Sequence, residues 1–474
     1  MVYLYLIWSG EYFPSQDGPS HLYNTWALMH LDTVSVFGRF YQADWSLIPN
    51  WLGSALLFVF MSVMSAVAAQ KLLISIIIVV FVTGFARMTR GDSAQLSPSA
   101  LLKPIIIIGF PLYMGFFSFC LGLAMVPWVW GIAYKARRKS QPLDPWIMGA
   151  LLVLGFLAHV LALGAMLMGL FVMMLTPGER ATRKWRAIML LASIPALCLL
   201  AWYLLSFSGS ESQRWSLARL LDYLVAMEVV NGVDEIGKLL GVPIILLVLI
   251  RLFMTQAVAD FTPWLILAVT AFCVYLLLPN GSTGHWFLSS RMSFFVWLAL
   301  IPLMTTRGEA IQIGMYFVFL CMLTMNFGQT TELLDKKVQE YVELGRYIED
   351  GSVILPLDFN PEAAPLRDGR FFRFRPFQHA AGYIGINKNI IDISNYEAQT
   401  DHFQVRLKKN VSAPDYNQLT AQPGKVDLAR LAPVVRYVLV RYLKVAPPSF
   451  VRLLKKHYRR IDGNAEGELY ERRQ

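Results

Sequence analysis

Eleven apolar runs divide the first 327 residues, and they dictate the solvent this chain folds in. The runs are 1–9, 49–67, 71–86, 104–134, 145–159, 161–176, 187–206, 239–256, 262–279, 291–306 and 310–327. A helix needs about 20 apolar residues to cross the hydrocarbon core of a bilayer. Lipid offers no hydrogen bonds, so such runs must pair their own backbone groups and become helices. The first run, nine residues at about 1.5 Å each, covers only half a bilayer. The sequence predicts an all-α polytopic membrane bundle of about eleven transmembrane helices.

Charge divides the chain. Residues 1–327 carry 19 Lys/Arg and 14 Asp/Glu, whereas the shorter stretch 328–474 carries 23 and 18. The chain therefore reads as a transmembrane domain, 1–327, followed by a small soluble α/β domain, 328–474. The tail is expected to hold a polar helix (Thr331–Asp350), strands at Ser352–Pro356, Val434–Tyr442 and Glu468–Glu471, and an amphipathic helix at Ser449–Tyr458. The net charge of +10 falls evenly on the two parts. It argues for membrane lipid as a partner and not nucleic acid, because basic residues beside apolar runs set topology and meet anionic head groups. All four cysteines lie in apolar runs, which excludes a disulfide framework.

Two basic clusters flank 145–176: Lys135, Arg137, Arg138 and Lys139 before it, and Arg180, Arg183, Lys184 and Arg186 after it. Both belong on the cytoplasmic side. Two crossings with a tight outer turn near His159 meet that condition. Counting from these anchors places the loops 10–48, 87–103, 207–238 and 280–290 outside, together with the tail. The run 104–134 is either one long helix or a piece broken near Pro111 and Gly115.

Asp17 is the first candidate for chemistry. It lies in Phe13-Pro14-Ser15-Gln16-Asp17-Gly18-Pro19-Ser20-His21, a loop framed by proline and glycine at the membrane surface. A carboxylate there suits a general base working where lipid meets water. Asp-Gly-Pro is equally a helix start with Asp17 as its cap. His21, four residues on, is one helical turn away and is placed to tune Asp17 or to bind sugar. Arg291 opens a late apolar helix, as a lipid-phosphate contact or as a snorkelling interface residue. His21, His159 and His285 fall on the outer face, but no short-spaced metal-ligand motif joins them. A divalent metal is possible and not indicated; no cofactor is expected.

The run Gln16-Asp17-Gly18-Pro19-Ser20-His21-Leu22-Tyr23 and the arrangement Pro279-Asn280-Gly281 … Ser290-Arg291 resemble the GT-C glycosyltransferases. Two tail stretches, Phe377–Tyr383 and Ile391–Ala398, are similar to the tails of bacterial members tied to surface polysaccharides. The resemblance implies a GT-C-like bundle that transfers sugar from a polyprenyl-phosphate donor to a lipid-linked or surface glycan acceptor. It also implies the outer face of a bacterial inner membrane, with the C-terminal domain extracytoplasmic. Asp17 would be the base of an inverting displacement. Arg291, with Arg87, would hold the donor phosphate. His21, Asp44, Asp92, His159 and His285 would line the sugar or acceptor site. Asp17 and Arg291 should then face one cavity. The rival class is a non-enzymatic glycolipid or polysaccharide transporter, or an export-complex subunit; that class predicts paired broken helices with polar residues at mid-membrane.

Overall fold

The computed structural model describes residues 1–89, 101–139, 144–176, 182–206, 212–230, 238–253, 261–282, 285–304, 309–360 and 374–473. Among them, four helices are long and apolar enough to cross a membrane by length and composition: Ala66–Thr89, Phe117–Arg137, Arg183–Ser206 and Ala310–Tyr347. Six shorter apolar helices accompany them.

Two features set one end of the bundle apart from the other. Lys135, Arg137, Arg138 and Lys139 close the helix Phe117–Lys139, and Arg183, Lys184 and Arg186 open the helix Arg183–Ser206. These mark a basic end. At the other end lie the Asp17 loop and the tail. The chain between the basic clusters forms the helices Pro145–Ala158 and Val160–Leu175 with His159 alone between them. His159 is extended, at φ −167° and ψ 131°, and this reverses the chain. A Cβ on Gly155 would lie 3.9 Å from the Cα of Leu163, whereas eight residues of straight helix span about 12 Å.

The helices Ala66–Thr89 and Phe117–Lys139 run side by side in the same direction. Trp128 Nε1 donates to the Val80 carbonyl at 2.9 Å. Further along, a Cβ on Gly131 would lie 3.0 Å from Met88 Cα. At the opposite end, Gln70 and Phe117 both abut Gly18. Arg87 therefore sits at the basic end. The expectation that 71–86 runs outward and that Arg87 borders an outer loop is corrected, and Arg87 joins the positive end that charge patterning would assign it. The cause is the run 49–67. It forms only the helix Trp51–Met61, about 16 Å long. Asn50 lines a cavity at the Asp17 end, and the chain is back there by Gln70, so this helix does not cross.

The run 104–134 takes its broken form. Short helices Leu102–Ile107 and Phe110–Met114 precede Phe117–Lys139, and Gly115 turns the corner at φ 80°. A single helix of 35 residues, Glu309–Glu343, carries the chain out of the bundle and into the tail, through position 327.

The tail sheet has the spatial order Ile391–Asp392, Val353–Asp358, Tyr437–Arg441, Glu468–Arg472, Tyr458–Gly463. The first three strands are parallel and the last two antiparallel. The apolar strands Val353–Asp358 and Tyr437–Arg441 lie centrally, as their near-continuous burial requires. A separate two-stranded ladder joins Tyr41–Ala43 of the first loop to Val405–Leu407 of the tail. Bundle and tail share one apolar core, which holds Phe13 and Phe327 together with Phe377, Tyr383 and Leu469.

Candidate active site

The Asp17 loop is held at almost every residue. Asp335 accepts from the backbone N–H groups of Glu11 (3.0 Å) and Tyr12 (2.7 Å). Tyr383 donates to Phe13 O at 3.3 Å and lies 3.0 Å from Gln70 Oε1. Gln16 N and Asp17 N donate to Tyr113 O and Met114 O at 2.8 and 3.0 Å. That last approach needs Gly115: a Cβ there would collide with the backbone of Asp17 and Gly18. Its φ of 80° also costs an L-residue about 1–2 kcal/mol. Gly115→Ala is expected to displace the Asp17 loop. It should lower the unfolding free energy by at least this amount, as read by thermal unfolding of the purified variant.

The helix Gly18–Met29 begins directly after Asp17, with Pro19 in its first turn. The carboxylate of Asp17 accepts nothing from that helix. It faces the cavity instead, 8% exposed, with Gln16 Nε2 at 3.2 Å from Oδ1. Burial pushes its pKa up to about 6; His21, Gln16 and Arg291 oppose the rise and the Glu397 charge adds to it.

Arg291 lies in the first turn of Leu288–Leu300. Asn280 fixes that helix start, its Oδ1 accepting from Ser289 Oγ (2.9 Å) and Ser290 N (3.4 Å). The guanidinium lies over the Phe116 ring at 3.8 Å, with Nη1 2.9 Å from His159 Nε2. Its Nε is buried and has no hydrogen-bond partner. His159 is thus the hinge of one helical hairpin and the neighbour of a cation from another helix.

The tail closes the site. A Cβ on Gly382 would lie 2.5 Å from Pro19 O, and one on Gly385 would lie 2.5 Å from Tyr23, so only glycines let the helix Ala381–Lys388 pack this closely. That packing places His379 Nε2 3.6 Å from Asp17 Oδ1 and 3.2 Å from Tyr416 OH. Burial drives the His379 pKa down to about 3, with His21 adding to the fall, so the ring is neutral. His379, Tyr396 and Tyr416 stack on one another, with centroids 4.6–5.7 Å apart.

One cavity of about 520 Å³ takes in Asp17, His21, His159, Arg291, His379, Tyr396 and Tyr416, a size suited to a small organic ligand. The structure brings together Asp17, Arg291, His21 and His159 from the expected set, and sets Arg87 and Asp44 apart. Arg87 lies over Trp128, on a separate cavity of about 650 Å³ with Lys135 and Asp144. Sixteen residues of one helix, about 24 Å, separate Phe119 of the first cavity from Lys135 of the second. Asp44 is ion-paired to Arg406 at 3.0 Å and fastens the first loop to the tail. Asp92 falls outside the described residues. His285 lies in a short strand beside Trp286, and its side chain is likewise outside them. Among the described residues, no group of three or more His, Cys, Asp and Glu is arranged to hold a metal ion.

Sequence reasoning gave no role to His379, Tyr396, Glu397 or Tyr416. Three of them lie in the two tail stretches that resemble the GT-C tails.

No family model matches the chain, and no curated protein matches it. Among solved structures, it is similar to arabinofuranosyltransferase AftD from Mycobacteria, in class 2 of a mutant seen by single-particle cryo-EM. The TM-score is 0.52 at 14% identity, over 99% of this chain and 41% of that one. The likeness is one of fold. Class 1 of the same mutant gives a TM-score of 0.41 at the same identity and coverage. The chain spans about two fifths of the length of the AftD chain.

Proposed function

We propose that the protein is a membrane glycosyltransferase that moves a sugar from a polyprenyl-phosphate donor to a hydroxyl of a lipid-linked or surface glycan. The reading places the reaction at the outer face of a bacterial inner membrane. The observation that carries it is a buried carboxylate, unused by its own helix, in the same cavity as a guanidinium with an unspent donor. The fold similarity to AftD supports the same class, and puts an arabinofuranosyl donor first among those to test.

In this reading Asp17 takes the proton of the acceptor hydroxyl as its oxygen bonds to the anomeric carbon. The bond from that carbon to the phosphate oxygen breaks, and the electron pair leaves with the phosphate. A single displacement inverts the anomeric centre. Phosphate leaves readily, so cationic contact as its charge develops matters more than a general acid. Arg291 supplies that contact. The rings of Tyr396 and Phe403 in the cavity wall suit the apolar face of a sugar.

The test is transfer of labelled sugar from polyprenyl-phosphate donors into glycolipid, followed against pH. The base must be ionised, and Asp17 titrates at about 6. The rate should therefore be flat above pH 7, half-maximal near pH 6, and fall tenfold per unit below that. A rate unchanged down to pH 5 would remove Asp17 as the base.

A further inference from the structure

A second buried carboxylate stands behind Asp17. Glu397 opens a short turn, Glu397–Gln399, after the strand Ile391–Asp392, and is 2% exposed. A carboxylate buried this far demands a cation. Among the described residues it meets one, His21, whose Nδ1 lies 2.7 Å from Oε1. The other ring nitrogen of His21, Nε2, lies 3.0 Å from the carbonyl oxygen of Gly115. The Gly115 oxygen can only accept, so Nε2 carries a proton. Glu397 Oε1 is buried without a hydrogen-bond partner, and the contact with Nδ1 compensates it as an ion pair when that nitrogen is protonated as well.

Three distant pieces of chain make this arrangement. His21 lies one turn into the helix that starts after Asp17, and its N–H donates to Asp17 O at 3.1 Å. Gly115 belongs to the corner that holds Asp17, and Glu397 comes from the tail.

We propose that Glu397 is a positioning residue: it keeps His21 an imidazolium, and that cation, in the same cavity as Asp17, favours the ionised form of the Asp17 carboxylate against the weaker direct repulsion of Glu397 itself. The proposal deepens the reading of Asp17 as the base and rests on it for its catalytic meaning. The remaining groups that face Asp17 are Gln16 from its own loop, Arg291 across the cavity, and His379, Tyr396 and Tyr416 from the tail. Burial keeps His379 neutral, near 3, and holds both phenols well above their ordinary value. As Asp17 titrates near 6, the neighbouring charge that Glu397 governs is that of His21.

Two titrations of the whole 474-residue chain in detergent test this without a substrate. Nitrogen NMR of labelled histidine reads His21, assigned by its loss in His21→Gln. In the wild type it should titrate above the ordinary histidine value of 6.5. In Glu397→Gln, which keeps the shape and removes the charge, it should fall below 6.5, and Glu397→Asp should restore part of the shift. The infrared band of the protonated carboxyl, assigned by its loss in Asp17→Asn, reads Asp17. Its midpoint should rise by about one unit or more in His21→Gln, since a nearby cation is gone. An unchanged His21 titration in Glu397→Gln would overturn the proposal, as would an unmoved Asp17 midpoint in His21→Gln. If both shifts occur and no sugar is transferred, the coupling stands and the glycosyltransferase reading falls.

Discussion

Asp17→Asn is expected to lose sugar transfer by about 10³-fold, within the range that general bases contribute, while the protein becomes harder to unfold. Both effects have one cause. The folded-state pKa of Asp17 is raised from 3.8 to about 6. The group therefore favours the fold fully below pH 3.8, and this contribution is lost as pH rises through 6. At pH 7 the ionised carboxylate costs the fold about 3 kcal/mol. Asparagine has the same size and no charge, so that cost disappears. Thermal unfolding in detergent at pH 7 should show a higher midpoint for the variant, and the difference should shrink at pH 4. A variant that lost transfer by unfolding would show the opposite shift, and one that kept transfer would leave Asp17 without its role.

Arg291→Ala should lower transfer by about 10²–10³-fold, because a preorganised cation acts most strongly on charge that develops in the transition state. The loss should fall on kcat at least as heavily as on KM. Arg291→Lys should recover only part of it. Lysine keeps the charge but lacks the planar fork that offers two parallel donors to a phosphate and lies flat on the Phe116 ring. Arg87→Ala is the control. It removes a cation of the same kind from the basic end of the bundle, beside Lys135 and Asp144, and should leave transfer unchanged. Steady-state rates on one donor for the four proteins decide the matter. Equal losses at Arg87 and Arg291 would show that the cavity is not the phosphate site.

The shared cavity of Asp17 and Arg291 was legible in the sequence because its signal is local. An acid framed by proline and glycine between apolar runs pointed to Asp17, and an arginine after a serine pair at the start of an apolar helix pointed to Arg291. The tight turn at His159 followed from two basic clusters that had to share a side. The strand Val353–Asp358 and the helix Pro448–His457 lie where their apolar patterns place them. The direction of the helix Ala66–Thr89 was not legible, because counting crossings assumes that each apolar run crosses. Trp51–Met61 is as apolar as a crossing helix and is too short to be one, so Arg87 moved to the other end. The tail half of the site was hidden for a different reason. His379 and Glu397 acquire their character from burial against residues more than 350 positions earlier in the chain. Nothing local marks a glutamate that will lose its water to a histidine at position 21. Gly382 and Gly385 carried the clue, since they alone permit that contact, but a glycine's purpose shows only once its neighbour is known.

The account stands on Asp17 and Arg291 acting on one lipid-phosphate sugar, and the most direct measurement is product formation by the wild-type protein. The purified chain would be given labelled polyprenyl-phosphate sugars, the arabinofuranosyl donor among them, with membrane glycolipid as acceptor. The account predicts labelled glycolipid and free polyprenyl phosphate in equal amounts, and neither with Asp17→Asn. Undiminished product from Asp17→Asn would contradict the assignment of the base, and no product from any donor in the panel would contradict the account as a whole.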